Sequence, residues 1–130
     1  MHIEQTAVIV DDYDRAIDFY VGALGFELVE DTPSYTNDGR AKRWVVVRPP
    51  GAATGLLLAQ ADSDEQRRAI GAQFAGRVGL FLRVENFDDQ YRHMLDQRVE
   101  FLTEPRNEPY GRVAVFVDIA GNSWDLLGPP

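Results

Sequence analysis

An α+β fold of two tandem βαβββ modules is predicted by three features of the chain. It repeats itself: Val10-Asp11-Asp12-Tyr13-Asp14, then Ile17, Tyr20 and Gly25-Phe26-Glu27-Leu28, returns as Val84-Glu85-Asn86-Phe87-Asp88, then Tyr91, Met94 and Arg98-Val99-Glu100-Phe101. The offset between copies is 74 through the helix (86 − 12, 87 − 13, 91 − 17 and 94 − 20 agree) and slips to 73 at the next strand (101 − 28). Finally, 130 residues at 45% hydrophobic can bury one sizeable core but not two independent ones, so the halves are expected to share it. A doubled unit of this size builds a cleft between pseudo-symmetric halves, and function is expected where the halves face it.

The first copy opens with the apolar run Ile3 to Val10, a strand, which Asp11-Asp12 interrupts with helix-starting carboxylates. Asp12 is the expected N-cap, its carboxylate accepting from an orphan amide of the first turn. Tyr13, Ile17, Tyr20 and Leu24 then fall on one helical face, and Gly22 and Gly25 close the helix. Phe26 to Glu30 reads as a strand, Asn37-Asp38-Gly39 as a hairpin turn, Arg43 to Arg48 as a strand, Pro49-Pro50-Gly51 as a stop, and Gly55 to Gln60 as the fourth strand. In the second copy the strand Arg77 to Val84 precedes a helix from Asn86 to Gln97. Strands Val99 to Thr103, Arg112 to Asp118 and Ser123 to Leu127 follow, the last two joined by a turn at Ala120-Gly121-Asn122. Between the copies, Asp62 and Glu65 stand at capping-box spacing and predict a short helix. Gly71-Ala72-Gln73-Phe74-Ala75-Gly76 has neither the spacing nor the lysine of a phosphate loop and reads as a connector. The chain is thus expected to be one domain over 1–130, with module 1 at about 1–60, a linker helix in 61–76 and module 2 at about 77–130. Each module offers a mixed sheet with a helix on one face and the other face open.

Composition narrows the function classes. No stretch approaches the roughly 20 apolar residues of a membrane helix, and the first residues lack a basic and then apolar leader, so a cytoplasmic protein is expected. The absence of cysteine excludes disulfides, thiolate metal sites and a cysteine nucleophile. A net charge of −8 repels phosphate backbones, which argues against nucleic acid.

The string Val8-Ile9-Val10-Asp11-Asp12-Tyr13-Asp14-Arg15-Ala16-Ile17-Asp18-Phe19-Tyr20 with Leu24-Gly25-Phe26-Glu27 resembles the opening module of the vicinal oxygen chelate superfamily. Pro109-Tyr110-Gly111-Arg112, Phe116-Val117-Asp118 and Gly121-Asn122-Ser123-Trp124-Asp125-Leu126 resemble its closing module, so the similarity spans almost the whole chain. That superfamily includes glyoxalase, extradiol dioxygenases, methylmalonyl-CoA epimerase, fosfomycin-resistance enzymes and bleomycin-binding proteins. The resemblance implies paired modules forming a curved mixed sheet around a cavity that commonly holds a divalent metal, and a homodimer. It places the metal-ligand positions on the first and last strand of each module: Gln5, a residue within Leu56-Leu57-Leu58-Ala59, Gly79 and Asp125. Only Gln5 and Asp125 carry donor atoms, a thin shell for a catalytic metal, so no tightly bound metal or other cofactor is expected. His2 lies at the terminus and His93 within the second helix, and neither completes the set.

Strand alternation names the other cleft residues. If Gln5 points inward, so do Ala7 and Ile9, while Thr6, Val8 and Val10 meet the helix; by the same period Gly79, Phe81, Arg83, Ser123, Asp125 and Leu127 point inward. Gly79 is expected to leave room beside Phe81, which either packs in the core or meets the planar part of a ligand. Arg83 needs a partner if it is buried: Asp125, an anionic ligand, or solvent at the strand end. Of Arg43 and Trp44, adjacent on one strand, one must face inward. Tyr110, on a proline-restricted loop, either bonds a ligand or caps the sheet. Asp125 either serves as a general base, its pKa raised by burial, or pairs with Arg83. Two function classes follow. One is a glyoxalase-like lyase or dioxygenase-like enzyme with Gln5 and Asp125 as its catalytic pair. The other is a binding protein of the bleomycin-resistance type that sequesters a small molecule without chemistry. Both would use Trp44, Gly79, Phe81, Arg83 and Tyr110 for binding.

Overall fold

The computed structural model describes residues 1–130 and divides into two compact units, Met1–Ile70 and Gly71–Pro130. In the first unit the order is β1 (Gln5–Val10), α1 (Tyr13–Ile17) continuing into a π-helical stretch (Asp18–Ala23), β2 (Glu27–Tyr35), β3 (Ala41–Arg48), β4 (Gly55–Gln60) and α2 (Asp64–Ala69). The sheet order is β1-β4-β3-β2, with β1 and β4 parallel and the other pairs antiparallel. The second unit holds β5 (Leu80–Arg83), α3 (Phe87–Asp96), β6 (Glu100–Phe101), β7 (Arg106–Glu108), β8 (Gly111–Val117) and β9 (Ser123–Gly128). Its order is β5-β9-β8-β6, with β7 also on β8 and β5 parallel to β9. The two tandem βαβββ modules and the α+β class are those predicted.

Capping residues start both helices where the sequence places them. The Asp12 carboxylate accepts from the Arg15 amide at 2.8 Å, and Asn86 Oδ1 accepts from the Asp89 amide at 3.1 Å. The first helix ends as expected at Gly25, whose φ of 83° only glycine adopts cheaply. Its last turn widens: the Leu24 amide reaches the Phe19 carbonyl, five residues back, at 3.2 Å.

Several boundaries differ from expectation. Strand β2 runs on to Tyr35 through Pro33, which an edge strand tolerates because the missing N–H would face outward. Helix α2 is capped one residue later than predicted: the Ser63 hydroxyl, not Asp62, accepts from the Gln66 amide at 3.1 Å, and Gln66 Oε1 accepts from the Asp62 amide at 2.9 Å. The predicted strand Val99 to Thr103 shrinks to two residues, and the chain re-pairs with β8 only after Pro105, as β7. The ladder ends at Thr103: the Leu102 amide still donates to the Val115 carbonyl at 2.8 Å, but the Val115 amide donates to the Thr103 hydroxyl at 3.0 Å in place of a backbone carbonyl.

Each unit's core lies between its sheet and its helix. Val8, Val10, Val45, Val47 and Leu58 are fully or almost fully buried beside Tyr20 in the first unit, as are Phe116, Leu126 and Met94 in the second. Burying a side chain of this kind contributes about 1.5 to 3 kcal/mol.

Candidate functional site

The alternation of burial fixes which side chains each sheet shows on the face away from its helix. Val8 and Val10 are buried at 0% and 1% exposure, so Gln5, Ala7 and Ile9 occupy the opposite face of β1. Register carries that face across the sheet to Leu57 and Ala59 of β4, to Trp44, Val46 and Arg48 of β3, and to Glu30 and Thr32 of β2. Trp44 therefore takes the open face. Arg43 takes the helix side, where Nε and Nη2 donate to Asp31 at 3.0 and 2.7 Å, Nη1 meets Asp14 at 3.0 Å, and the guanidinium lies 5.1 Å over the Tyr13 ring. The Asp31 hydrogen bond raises the Arg43 pKa still further, and the Arg43 bond holds the Asp31 carboxyl below its usual range.

Gln5 and Trp44 line one open depression of about 290 Å³, with Val29, Glu30, Val46 and Arg48 around them. Trp44 is 38% exposed there, whereas Trp124, the other tryptophan, is 3% exposed. Another depression of about 220 Å³ lies among Tyr13, Thr36, Arg40, Lys42, Arg43 and Gln66. Carboxylates already engage its arginines: Asp38 and Asp62 hold Arg40, and Asp14 and Asp31 hold Arg43.

In the second unit the buried Leu82, Trp124 and Leu126 turn toward α3, which leaves Phe81, Arg83, Ser123, Asp125 and Leu127 on the open face. Phe81 stands beside Asp125 and Arg83 beside Leu127 in the parallel ladder. Phe81 is 61% exposed, so it is not a core residue. Arg83 is exposed at the end of β5 and forms no ion pair with Asp125. Of the alternatives for Arg83, solvent at the strand end is the one the structure shows; at Asp125 burial raises the pKa, with the charge of Arg106 opposing the rise. Arg106 Nε donates to Glu108 Oε1 at 2.9 Å and also interacts with Tyr110, which is itself exposed at the β7–β8 turn. The sequence reading missed Arg106. Its signal was the period-two series Arg106, Glu108, Tyr110 beginning just after Pro105, which marks one face of an extended segment.

Gly79 also departs from expectation. A Cβ built on it would lie 2.1 to 2.4 Å from ring atoms of Phe74, so the space beside Phe81 is filled by the chain's own aromatic ring.

These positions do not fit a resident divalent metal. Gly79 is covered by Phe74, the open face of β4 shows Leu57 and Ala59, and no group of three or more His, Cys, Asp or Glu side chains is arranged to hold an ion. Gln5 and Asp125 remain as the two donors.

Two tandem βαβββ modules, each a mixed sheet with a helix on one face and the other face open, define the class of fold. The chain belongs to the Glyoxalase/Bleomycin resistance protein/Dioxygenase superfamily, whose model matches residues 2–126. An uncharacterized protein of Shewanella frigidimarina (strain NCIMB 400) is 49% identical over 126 residues, covering 96% of this chain and 91% of that protein. Among solved structures, TnmS3, an antibiotic binding protein from Streptomyces sp. CB03234, is 33% identical with a TM-score of 0.78, covering 100% of this chain and 97% of TnmS3. A superfamily member from Sphaerobacter thermophilus DSM 20745 is 30% identical with a TM-score of 0.75, covering 98% and 97% of the two chains.

Proposed function

We propose that the protein binds a small, largely apolar organic molecule and sequesters it without metal-assisted chemistry. The observation that carries this reading is the exposed indole of Trp44 in an open depression beside Gln5. Trp44 offers a planar apolar surface and Gln5 an amide that both donates and accepts, a combination suited to an aromatic ligand with oxygen substituents. The similarity to an antibiotic binding protein supports the same reading. Within it, Phe81, Arg83, Tyr110 and Asp125 on the second unit's open face are proposed as further binding residues. Catalysis by Gln5 and Asp125 is the competing reading, and only the raised pKa of Asp125 favours it.

Tryptophan fluorescence tests the proposal directly, because Trp44 is accessible and Trp124 is not. Titration with a panel of planar polycyclic aromatics is expected to quench the emission saturably for at least one member, and Trp44→Phe is expected to abolish that change. A panel that neither quenches Trp44 nor raises the melting temperature would overturn the reading.

A further inference from the structure

Along the open face of β5 the chain presents an aromatic ring, a second aromatic ring and a cation, in that order. The first ring is not part of the strand. It is Phe74, seated on Gly79, whose amide continues the β5–β9 ladder by donating to the Ser123 carbonyl at 3.2 Å. Phe81 and Arg83 follow at the same parity, roughly 7 and 13 Å further along the strand. A side chain at position 79 would occupy the place of the ring, so glycine is required for Phe74 to lie there.

The segment that carries Phe74 is held in a costly backbone conformation. Gly71, Ala75 and Gly76 have φ of 74°, 53° and 84°, and the left-handed value at Ala75 is one that a residue with a Cβ adopts only against resistance. Gly71 is packed so closely that a Cβ there would lie 2.5 Å from the Ala120 carbonyl oxygen. The Arg77 amide donates to the Phe74 carbonyl at 3.0 Å and closes the turn. This rigid turn does more than join two modules: it delivers one half-buried ring to the β5 face, next to a Phe81 that is 61% exposed.

Resting on the binding function proposed above, we infer that the β5 face is a recognition strip for a planar fused-ring ligand with an anionic substituent at one end. The fused rings stack on Phe74 and Phe81, and the anion meets Arg83. Arg83 suits this role because it is exposed at the strand end and no carboxylate is paired with it. Arg83 sets the polarity: a ligand whose anion pointed the other way along the strand would lose its only cation on this face of β5. Phe74 is thereby a specificity residue that the connector, not the strand, supplies to this face.

Anthraquinone sulfonate, a planar tricycle with one terminal anion, is the probe, and isothermal titration of the full chain is the readout. Wild-type protein is expected to bind it saturably. Phe74→Leu, which keeps apolar bulk over Gly79 but removes the ring, is expected to weaken binding about tenfold with little change in melting temperature. Arg83→Gln is expected to weaken it by a similar factor while leaving binding of proflavine, a planar cation, unchanged. Wild-type affinity in either folded variant would overturn the inference. So would failure of anthraquinone sulfonate to bind while other aromatics still quench Trp44, in which case the broader binding function stands. Should no aromatic bind by either readout, both fall together.

Discussion

Asp118 is a buried carboxylate, 5% exposed, whose two oxygens organise the turn between β8 and β9. Oδ1 accepts from the amides of Ala120, Gly121 and Asn122 at 3.0, 3.0 and 2.9 Å, and Oδ2 accepts from the Trp124 indole at 2.9 Å. These bonds give the segment from Asp118 to Trp124 its shape: one carboxylate satisfies a turn's orphan amides and anchors the indole that stacks on Phe116. Removing it strands several buried donors at once, so Asp118→Ala is expected to cost about 3 kcal/mol in urea unfolding. Trp124→Phe gives up a single bond and should cost nearer 1 kcal/mol, provided the ring still stacks. Equal unfolding midpoints for Asp118→Ala and wild type would contradict this account.

At the scale of elements, the two modules share a device that attaches each helix to its sheet. In the first, Tyr13 at the start of α1 lies under Arg43 of β3, whose guanidinium is held by Asp14 and Asp31. In the second, Phe87 at the start of α3 lies under Arg112 of β8 at 4.9 Å, and Arg112 is paired with Asp88. Tyr13-Asp14 and Phe87-Asp88 are repeat mates, so the ring and the adjacent carboxylate are the conserved half of the device within this chain and the arginine comes from across the sheet. Arg43→Ala should destabilise the fold by about 1 to 2 kcal/mol, a moderate figure because the pairs are partly exposed and screened by salt. Arg43→Lys should recover less than half, since an ammonium cannot make the planar double contact with Asp31. The pH dependence has a definite sign. Asp31 has a lowered pKa in the folded state, so its contribution is present above the ordinary carboxylate range, about pH 4, and is lost as pH falls through the lowered value. Acid unfolding of wild type and Arg43→Ala compared side by side checks this, and the gap between the curves should close at the lowest pH.

For the molecule as a whole, the donor set argues against a resident metal as a structural element. Gln5 and Asp125 are the two donors among the positions named from the resemblance, while Phe74 lies over Gly79 and the open face of β4 shows Leu57 and Ala59. Elemental analysis after dialysis is expected to find well under one transition metal per chain, and a chelator should leave the melting temperature unchanged. Stoichiometric zinc, iron, nickel or manganese surviving dialysis would show that the chain completes a site in some other way.

Much of this was legible in the residues alone, and for a physical reason: it depended on local geometry. The repeat, the helix starts at Asp12 and Asn86, and the separation of Gln5 from Val8 and Val10 or of Phe81 from Leu82 follow from caps and from the strand period of two. What the tertiary structure decided is which distant side chains meet. Gly79 looks like an absence until Phe74, five residues earlier, is seen to fill it, because a strained turn leaves no periodic trace. Arg106 comes to pair with Glu108 on β7 because an interrupted strand re-pairs with β8 after Pro105 and sets a register that alternation cannot foresee. Arg43 and Trp44 are equivalent in sequence; they were told apart only by carboxylates and a ring that packing brings to one side of the sheet.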